Sequence, residues 1–377
     1  LSIGIYRLSL HSFRSYKSLN LSIEGRHVVV TGPNGIGKTN LLEAISFFAP
    51  GRGLRKAKML DVQKVGSIEP WAVKAFLWDG TDDSLELSTH LSTDQQSRKA
   101  MVSGAKLPSN LDLTHYITVN WATPELDRLF VEGGSSKRRK FLDHLISGLY
   151  PEHAKHLHAY DLAVKERNRL LKERHLNLSW ISSVEEIMAK ESYQILTRRL
   201  DAFTEFQASQ TYLNSDITDI SGKALFTAGL EQMCIESEAT PSVEWVLSLI
   251  QEARKQDIYS GTSSVGAHKM DFSIFNEKKG LLADMSSTGE QKILLLWLLL
   301  AFVHLQSESR QGNGILLLDE IPAHLDINRR AMLFEVLDSL AVQVWYSGTD
   351  QSLFSALKSK STQYLAVESS QDFRVTY

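Results

Sequence analysis

Several things are scarce in this sequence, and each scarcity excludes a class. There is one cysteine, Cys234, in 377 residues. A single thiol cannot form an internal disulfide, so a disulfide scaffold is excluded and a reducing compartment fits. No charge of either sign is in excess: 41 Lys and Arg stand against 44 Asp and Glu, a formal net charge of −3. A nucleic-acid partner would therefore have to meet a local patch. Long hydrophobic runs are also missing. The longest, Ile293 to Val303, has 11 residues; a membrane span needs about 20, so this run predicts a buried helix. The opening Leu1-Ser2-Ile3-Gly4-Ile5-Tyr6-Arg7 does not show the charged, apolar and cleavage regions of a secretory signal in order. Internal repeats and low-complexity segments are absent. The expectation is a cytoplasmic protein with no membrane partner. Hydrophobic residues at 43% and charged residues at 23% are ordinary for a globular chain and exclude a disordered or collagen-like one.

What is present falls into three stretches. Arg26 to Thr31 is a β-branched run that meets Gly32, which reads as a buried strand entering a glycine loop. Leu41, Leu42, Ile45 and Phe48 follow at helical spacing. Trp71 to Leu77, Leu85 to Leu91, Lys99 to Val102 and Tyr116 to Asn120 read as strands. From about Thr123 to Ser260 the pattern turns helical, with faces over Arg139 to Tyr150 and Val184 to Phe206. Strands return near Phe272 to Phe275, Ile315 to Leu318, Val342 to Tyr346, Tyr364 to Val367 and Phe373 to Val375. The expected architecture is an α/β domain built from both ends of the chain, 1–120 and 263–377, around a mainly helical insertion at 121–262.

Three motifs carry chemistry. Gly32-Pro33-Asn34-Gly35-Ile36-Gly37-Lys38-Thr39 has the spacing of a phosphate loop, between a strand and a helix. Its glycines let backbone N–H groups turn inward on phosphate oxygens, and the helix N-terminus adds unpaired donors. Lys38 would reach the β- and γ-phosphates and Thr39 would offer its hydroxyl to Mg²⁺. Ile315-Leu316-Leu317-Leu318-Asp319-Glu320 is an apolar strand ending in two carboxylates, at the sheet edge where ligands bind in α/β folds. Asp319 would hold Mg²⁺ and Glu320 would polarise the attacking water. The pair favours hydrolysis over transfer to a second substrate. Ser286-Ser287-Thr288-Gly289-Glu290-Gln291 precedes the apolar helix. By itself it reads as a capping box from Ser287 to Glu290; beside the other two motifs it reads as a second phosphate-binding helix N-terminus.

These segments resemble the ABC-type ATPases, whose signature is similar to Ser287-Thr288-Gly289-Glu290-Gln291 and whose aspartate–glutamate pair and D-loop are similar to Asp319 to Asp326. Across nearly the whole chain the resemblance is to the RecF family, related to the SMC-type heads. It is carried by Phe13-Arg14-Ser15-Tyr16, Gly37 to Ala44, Gly51 to Arg55, Thr123-Pro124-Glu125 and the run Gly133 to Asp143. The resemblance implies an ABC-type P-loop ATPase head that binds ATP with Mg²⁺ and hydrolyses it slowly, as a switch. It also implies ATP-dependent homodimerisation on gapped, single-stranded or junction DNA, loading of a recombinase with mediators such as RecR, and roles in DNA repair, replication and the SOS response. It adds Arg14, Ser287 and Gly289 to the nucleotide site and Asn120, in the place of a Q-loop glutamine, to the Mg²⁺ site. Gly266-Ala267-His268-Lys269 departs from a Gly-Pro-His-Arg segment, and Gly348-Thr349-Asp350 has no switch histidine, which leaves Thr349 and Asp350 as candidate γ-phosphate sensors. Two alternatives are an ABC transporter subunit and a structural SMC-like clamp. The first is disfavoured by the long insertion and the missing histidine, the second by an insertion without sustained heptads.

A local basic run lies in the insertion. Lys137, Arg138, Arg139, Lys140, Lys155, Lys165, Arg167, Arg169, Lys172 and Arg174 stand against Asp143, Glu152, Asp161, Glu166 and Glu173, with His175 closing the run. It reads either as a contact to a phosphate backbone or as a solvated helix face with pairs such as Asp161–Lys165 and Arg169–Glu173. The resemblance tilts it to DNA.

Overall fold

A computed structural model describes residues 4–78, 84–92, 94, 97–131, 133–173, 177–213, 222–309, 314–357, 361–368 and 373–376. In chain order the strands are β1 (Ile5–Phe13), β2 (Tyr16–Ser22), β3 (His27–Thr31), β4 (Ala72–Trp78), β5 (Ser84–Leu91), β6 (Arg98–Val102), β7 (Ala105–Lys106), β8 (Thr118–Ala122), β9 (Gly222–Ala228), β10 (Asp271–Asn276), β11 (Leu281–Leu282), β12 (Gly314–Asp319), β13 (Val342–Gly348), β14 (Thr362–Val367) and β15 (Phe373–Thr376). The helices are α1 (Lys38–Ser46), α2 (Arg128–Val131), α3 (Gly134–Leu149), α4 (His153–Leu170), α5 (Leu178–Leu213), α6 (Leu230–Ser237), α7 (Val243–Ser260), α8 (Thr288–Ser309) and α9 (Ile327–Ser339).

The chain divides into two compact units, one mainly from Leu1–Leu126 and Phe302–Tyr377, the other from Asp127–Asn214 and Ile220–Ala301. The first unit holds two sheets. An antiparallel sheet runs β2-β1-β4-β5-β6-β7, and a mostly parallel one runs β15-β14-β3-β13-β12-β8. Every residue of β3, β12 and β13 is buried. That is why β3 and β12 read as runs of Val and Leu without alternation, as central parallel strands do. The strands of the antiparallel sheet bury one face and alternate. Phe13, Phe47 and Trp71 meet edge to face between that sheet and the C-terminal end of α1. Two buried glutamines tie the sheets together. Gln343 donates from Nε2 to Ile5 O and Gly25 O and accepts the Ile5 N–H; Gln363 accepts the Glu24 N–H and donates to Ser22 O. Each amide closes backbone groups that would otherwise be buried unpaired.

The second unit packs α4, α5 and α7 around a core of Leu170, Ile181, Met188, Leu196, Val246 and Ile250. It also carries an antiparallel sheet in the order β11-β10-β9. The strand β9 lies inside the stretch read as helical. Its pairing with β10, Phe272 opposite Phe226, groups residues 263–301 with the insertion, so the division of the molecule differs from the boundary expected at 262. The helix α8 is long and apolar enough to cross a membrane by composition, but 72% of its apolar window is buried inside the protein. The apolar run is therefore a core helix, as its length predicts.

Candidate functional site

The parallel sheet brings the first two motifs to one edge. The strand β3 ends at Thr31, opposite Gly348 of β13, and β12 ends at Asp319, opposite Ser347. From Thr31 the chain passes through Gly32 to Gly37 into α1. Two of these glycines cannot be replaced without movement. At Gly37, with φ of 120°, a Cβ would come within 2.9 Å of the Tyr16 hydroxyl, and at Gly32, with φ of 149°, within 2.7 Å of Val367 O. Tyr16 donates to Gly37 O at 2.9 Å, which pins the last turn of the loop to β2.

Lys38 Nζ donates to the loop's own carbonyls, Gly32 O at 2.7 Å and Pro33 O at 2.9 Å. Burial lowers its pKa from the ordinary lysine range, against the pull of Glu320 and Asp319. Thr39 Oγ1 donates to Asp319 Oδ1 at 3.0 Å, so residues 280 apart in sequence share one contact. An open cavity of about 320 Å³ is lined by Asn34, Gly35, Gly37, Lys38, Thr39, Asn40, Arg55 and Glu320. A glycine loop and a lysine fit an anion. A hydroxyl beside a carboxylate fits a hard cation such as Mg²⁺, which takes one or two carboxylates together with phosphate oxygens and does not need a cage of protein ligands. Among the described residues no group of three or more His, Cys, Asp or Glu side chains forms such a cage.

The other expected site residues fall in different places. Pro33 contributes its carbonyl to Lys38, and Ile36 packs against the core. Arg14 is not in the cavity lining. Its guanidinium holds Glu43 of α1 bidentately at 2.7 and 2.9 Å and donates to Asp61 O, so it braces the helix that carries the loop. Asn120 is not brought to Asp319. It lies opposite Leu316 in the middle of β8, on the other pleat from Asp319, and donates to Gln306 at 2.6 Å. Ser287 and Gly289 are exposed at the start of α8 in the second unit. There the Ser287 N–H donates to Glu290 Oε2 at 3.1 Å, the half of the capping box that spans the turn. Thr349 and Asp350 are exposed beyond β13, and Asp350 caps the next turn by accepting the Ser352 N–H at 2.7 Å.

The basic run is largely committed within the second unit. Arg138 is bidentate to Asp271 at 2.8 and 2.7 Å, and Arg139 donates to Met270 O. Arg167, fully buried, pairs with Glu185 and Asp257. Arg169 pairs with Glu166 and Glu173. Lys137, Lys140, Lys165 and Lys172 have no ion pair with a described residue; Arg174 and His175 lie outside the described residues. His268 is held inside the unit by Tyr160 at 2.5 Å and Ser263 O at 2.9 Å, while the neighbouring Lys269 is exposed. Sequence reasoning missed Ser347, which bonds Asp319, and the brace of Glu43, Asn40 and Arg55 around the cavity. Ser347 stands next to the segment searched for a sensor, but only the strand register reveals its partner.

Comparison with known proteins bears on this geometry. Residues 28–344 match the family model described as an AAA domain, putative AbiEii toxin, Type IV TA system. The DNA replication and repair protein RecF of Rhizobium meliloti (strain 1021) is 39% identical over 367 residues, 97% of each chain. Its counterpart from Rhizobium rhizogenes (strain K84 / ATCC BAA-868) is 37% identical over 94% of each. Among solved structures, the recombination mediator protein RecF-ATPrS in the RecFOR pathway aligns with a TM-score of 0.83 at 21% identity, covering 100% of this chain and 99% of that one. The Smc head domain from Pyrococcus furiosus aligns at 0.54 and 16% identity, covering 99% and 96%. The fold is that of the P-loop ATPase heads.

Proposed function

The chain belongs to the RecF family of DNA replication and repair proteins, and from that membership we propose that it is an ATP-binding, slowly hydrolysing, DNA-binding protein of recombinational repair. The observation that carries this reading is the Thr39–Asp319 contact at the edge of a cavity that Lys38 and Glu320 also line. Backbone N–H groups of the loop and Lys38 would bind the phosphates, while Thr39 and Asp319 would hold Mg²⁺. Glu320 would orient and polarise the water. The chemistry is positioning and charge stabilisation, with no covalent intermediate on the protein. Hydrolysis at this site would switch the protein between two states that bind the nucleotide differently.

The switch we propose is a two-fold dimer in which Ser287 and Gly289 of one chain close over the nucleotide of the other. Gapped or single-stranded DNA would be its substrate and mediators such as RecR its partners, in the cytoplasm and under the SOS response. Membership in the family and the exposure of Ser287 at a helix N-terminus support this. DNA contact is assigned to the exposed cations Lys137, Lys140 and Lys269, in place of Arg138 and Arg139, which are hydrogen-bonded to Asp271 and Met270 O. Sedimentation of Ser287→Arg tests the shared site. ATP is expected to bind the monomer with near-native affinity while the ATP-dependent dimer and hydrolysis are both lost; a dimer that survives makes Ser287 a helix cap only.

A further inference from the structure

We infer that Ser347 is a positioning residue of the hydrolytic site, its hydroxyl orienting both Asp319 and the peptide of Glu320. The inference rests on the nucleotide-site reading above. Ser347 is fully buried in β13, between β3, which runs into the glycine loop, and β12, which delivers the two carboxylates. It stands directly opposite Asp319 in the parallel register. Its hydroxyl has one proton and lone pairs to spare, and the structure uses both kinds of group. The proton goes to Asp319 Oδ1 at 2.7 Å, and a lone pair accepts the Glu320 N–H at 2.9 Å.

Those two contacts do different work. Thr39 and Ser347 both donate to Oδ1, which fixes the carboxylate plane and leaves Oδ2 without a hydrogen bond among the described residues. Glu320 sits at φ 55° and ψ 9°, the left-handed region that residues with a Cβ leave unless something holds them. Its N–H is held by Ser347, and the side chain that follows from that backbone lines the cavity. Alanine at 347 would remove the second donor on Asp319 and the acceptor for Glu320 in one step, with little change in volume.

The test uses the full chain and a fluorescent ATP analogue titrated with and without Mg²⁺, alongside steady-state hydrolysis and thermal unfolding. For Ser347→Ala, binding of the analogue in EDTA is expected to stay within about twofold, since the loop and Lys38 are untouched. The Mg²⁺ concentration needed to tighten binding is expected to rise about tenfold, and kcat to fall about tenfold with KM for ATP little changed, as for loss of a hydrogen bond to a charged group. Ser347→Thr keeps the hydroxyl and is expected to restore both. Ser347→Cys, nearly isosteric with a weaker donor, is expected to fall between and serves if the alanine variant does not fold. Wild-type Mg²⁺ dependence and kcat in folded Ser347→Ala or Ser347→Cys would overturn the inference and leave the nucleotide site standing. Absence of analogue binding by the wild-type chain would overturn both.

Discussion

Arg199 in the helical unit and Lys38 in the sheet unit are both buried cations, 1% and 4% exposed, yet they are buried differently. Arg199 is closed on every side by protein: Asp143 bidentately, Glu231 at 2.7 Å and Ala267 O at 2.8 Å. Burial by itself would raise the Asp143 pKa, but Arg199 and His153 hold that carboxyl well below the usual range. Arg167 repeats the pattern with Glu185, Asp257 and Ser263. Among the described residues Lys38 is hydrogen-bonded to two carbonyls of its own loop, and it lines a cavity. A buried charge with its full set of partners is a fold element. A buried charge whose neighbours are a glycine loop, an open cavity and a carboxylate pair is built for something that arrives. Within the basic run, Arg167 belongs to the first kind, and Arg138 is committed to Asp271.

The largest expected effect breaks the comparison on its structural side. Arg199→Met leaves Asp143 and Glu231 buried without their cation and is expected to cost about 3–5 kcal/mol of stability, against less than about 1 kcal/mol for Lys38→Met. Urea unfolding of both variants decides it; equal losses would erase the distinction.

Acid sensitivity comes next, and it touches both units. His27 is pushed down to about 4 by burial and by Arg26, against Asp338. His268 is pushed down to about 4 by burial, against its bond to Ser263 O. Both imidazoles are favoured neutral in the folded state, so unfolding takes up protons. Stability is therefore full above about pH 6.5 and is lost as pH falls toward about 4, by roughly 3 kcal/mol per histidine. Urea midpoints from pH 7.5 to 4.5 should show this slope, and His268→Gln should remove only the share of the helical unit. A midpoint that is flat over that range would mean the two rings protonate freely inside the fold.

The smallest effect sharpens the division within the basic run. Charge reversal at Lys137 and Lys140 is expected to leave the melting temperature unchanged and to reduce the log–log salt slope of DNA binding by about two. Arg138→Glu, facing Asp271, is expected to act through folding, with melting and DNA binding falling together. An unchanged slope for the lysine pair would move the DNA contact elsewhere.

Legibility in the sequence followed burial. The strands β3 and β12 were readable because both faces are covered and the apolar run is unbroken. The phosphate loop and Asp319-Glu320 are each readable because each is a short contiguous pattern; that Thr39 meets Asp319 shows only in the fold. The strand β9 was not, because Gly222–Ala228 alternates over a half-buried face within a helical stretch and acquires meaning only from β10. Asn120 takes the place of a Q-loop glutamine only by resemblance, and the register puts it within β8, opposite Leu316. Arg138 and Asp271 are 133 residues apart, and no local pattern announces such a pair. Ser347 was missed for the same reason: a serine at a strand end becomes informative only when the strand beside it ends in Asp319.

The central claim is that the cavity beside Thr39, Asp319 and Glu320 is an ATP site. Isothermal calorimetry with ATP and Mg²⁺ on the wild-type chain, Lys38→Ala and Glu320→Gln tests it most directly. The account predicts saturable binding with one nucleotide per chain for the wild type, retained affinity for Glu320→Gln, and a loss of about a hundredfold or more for Lys38→Ala with its melting temperature preserved. Unchanged ATP affinity in folded Lys38→Ala would contradict it.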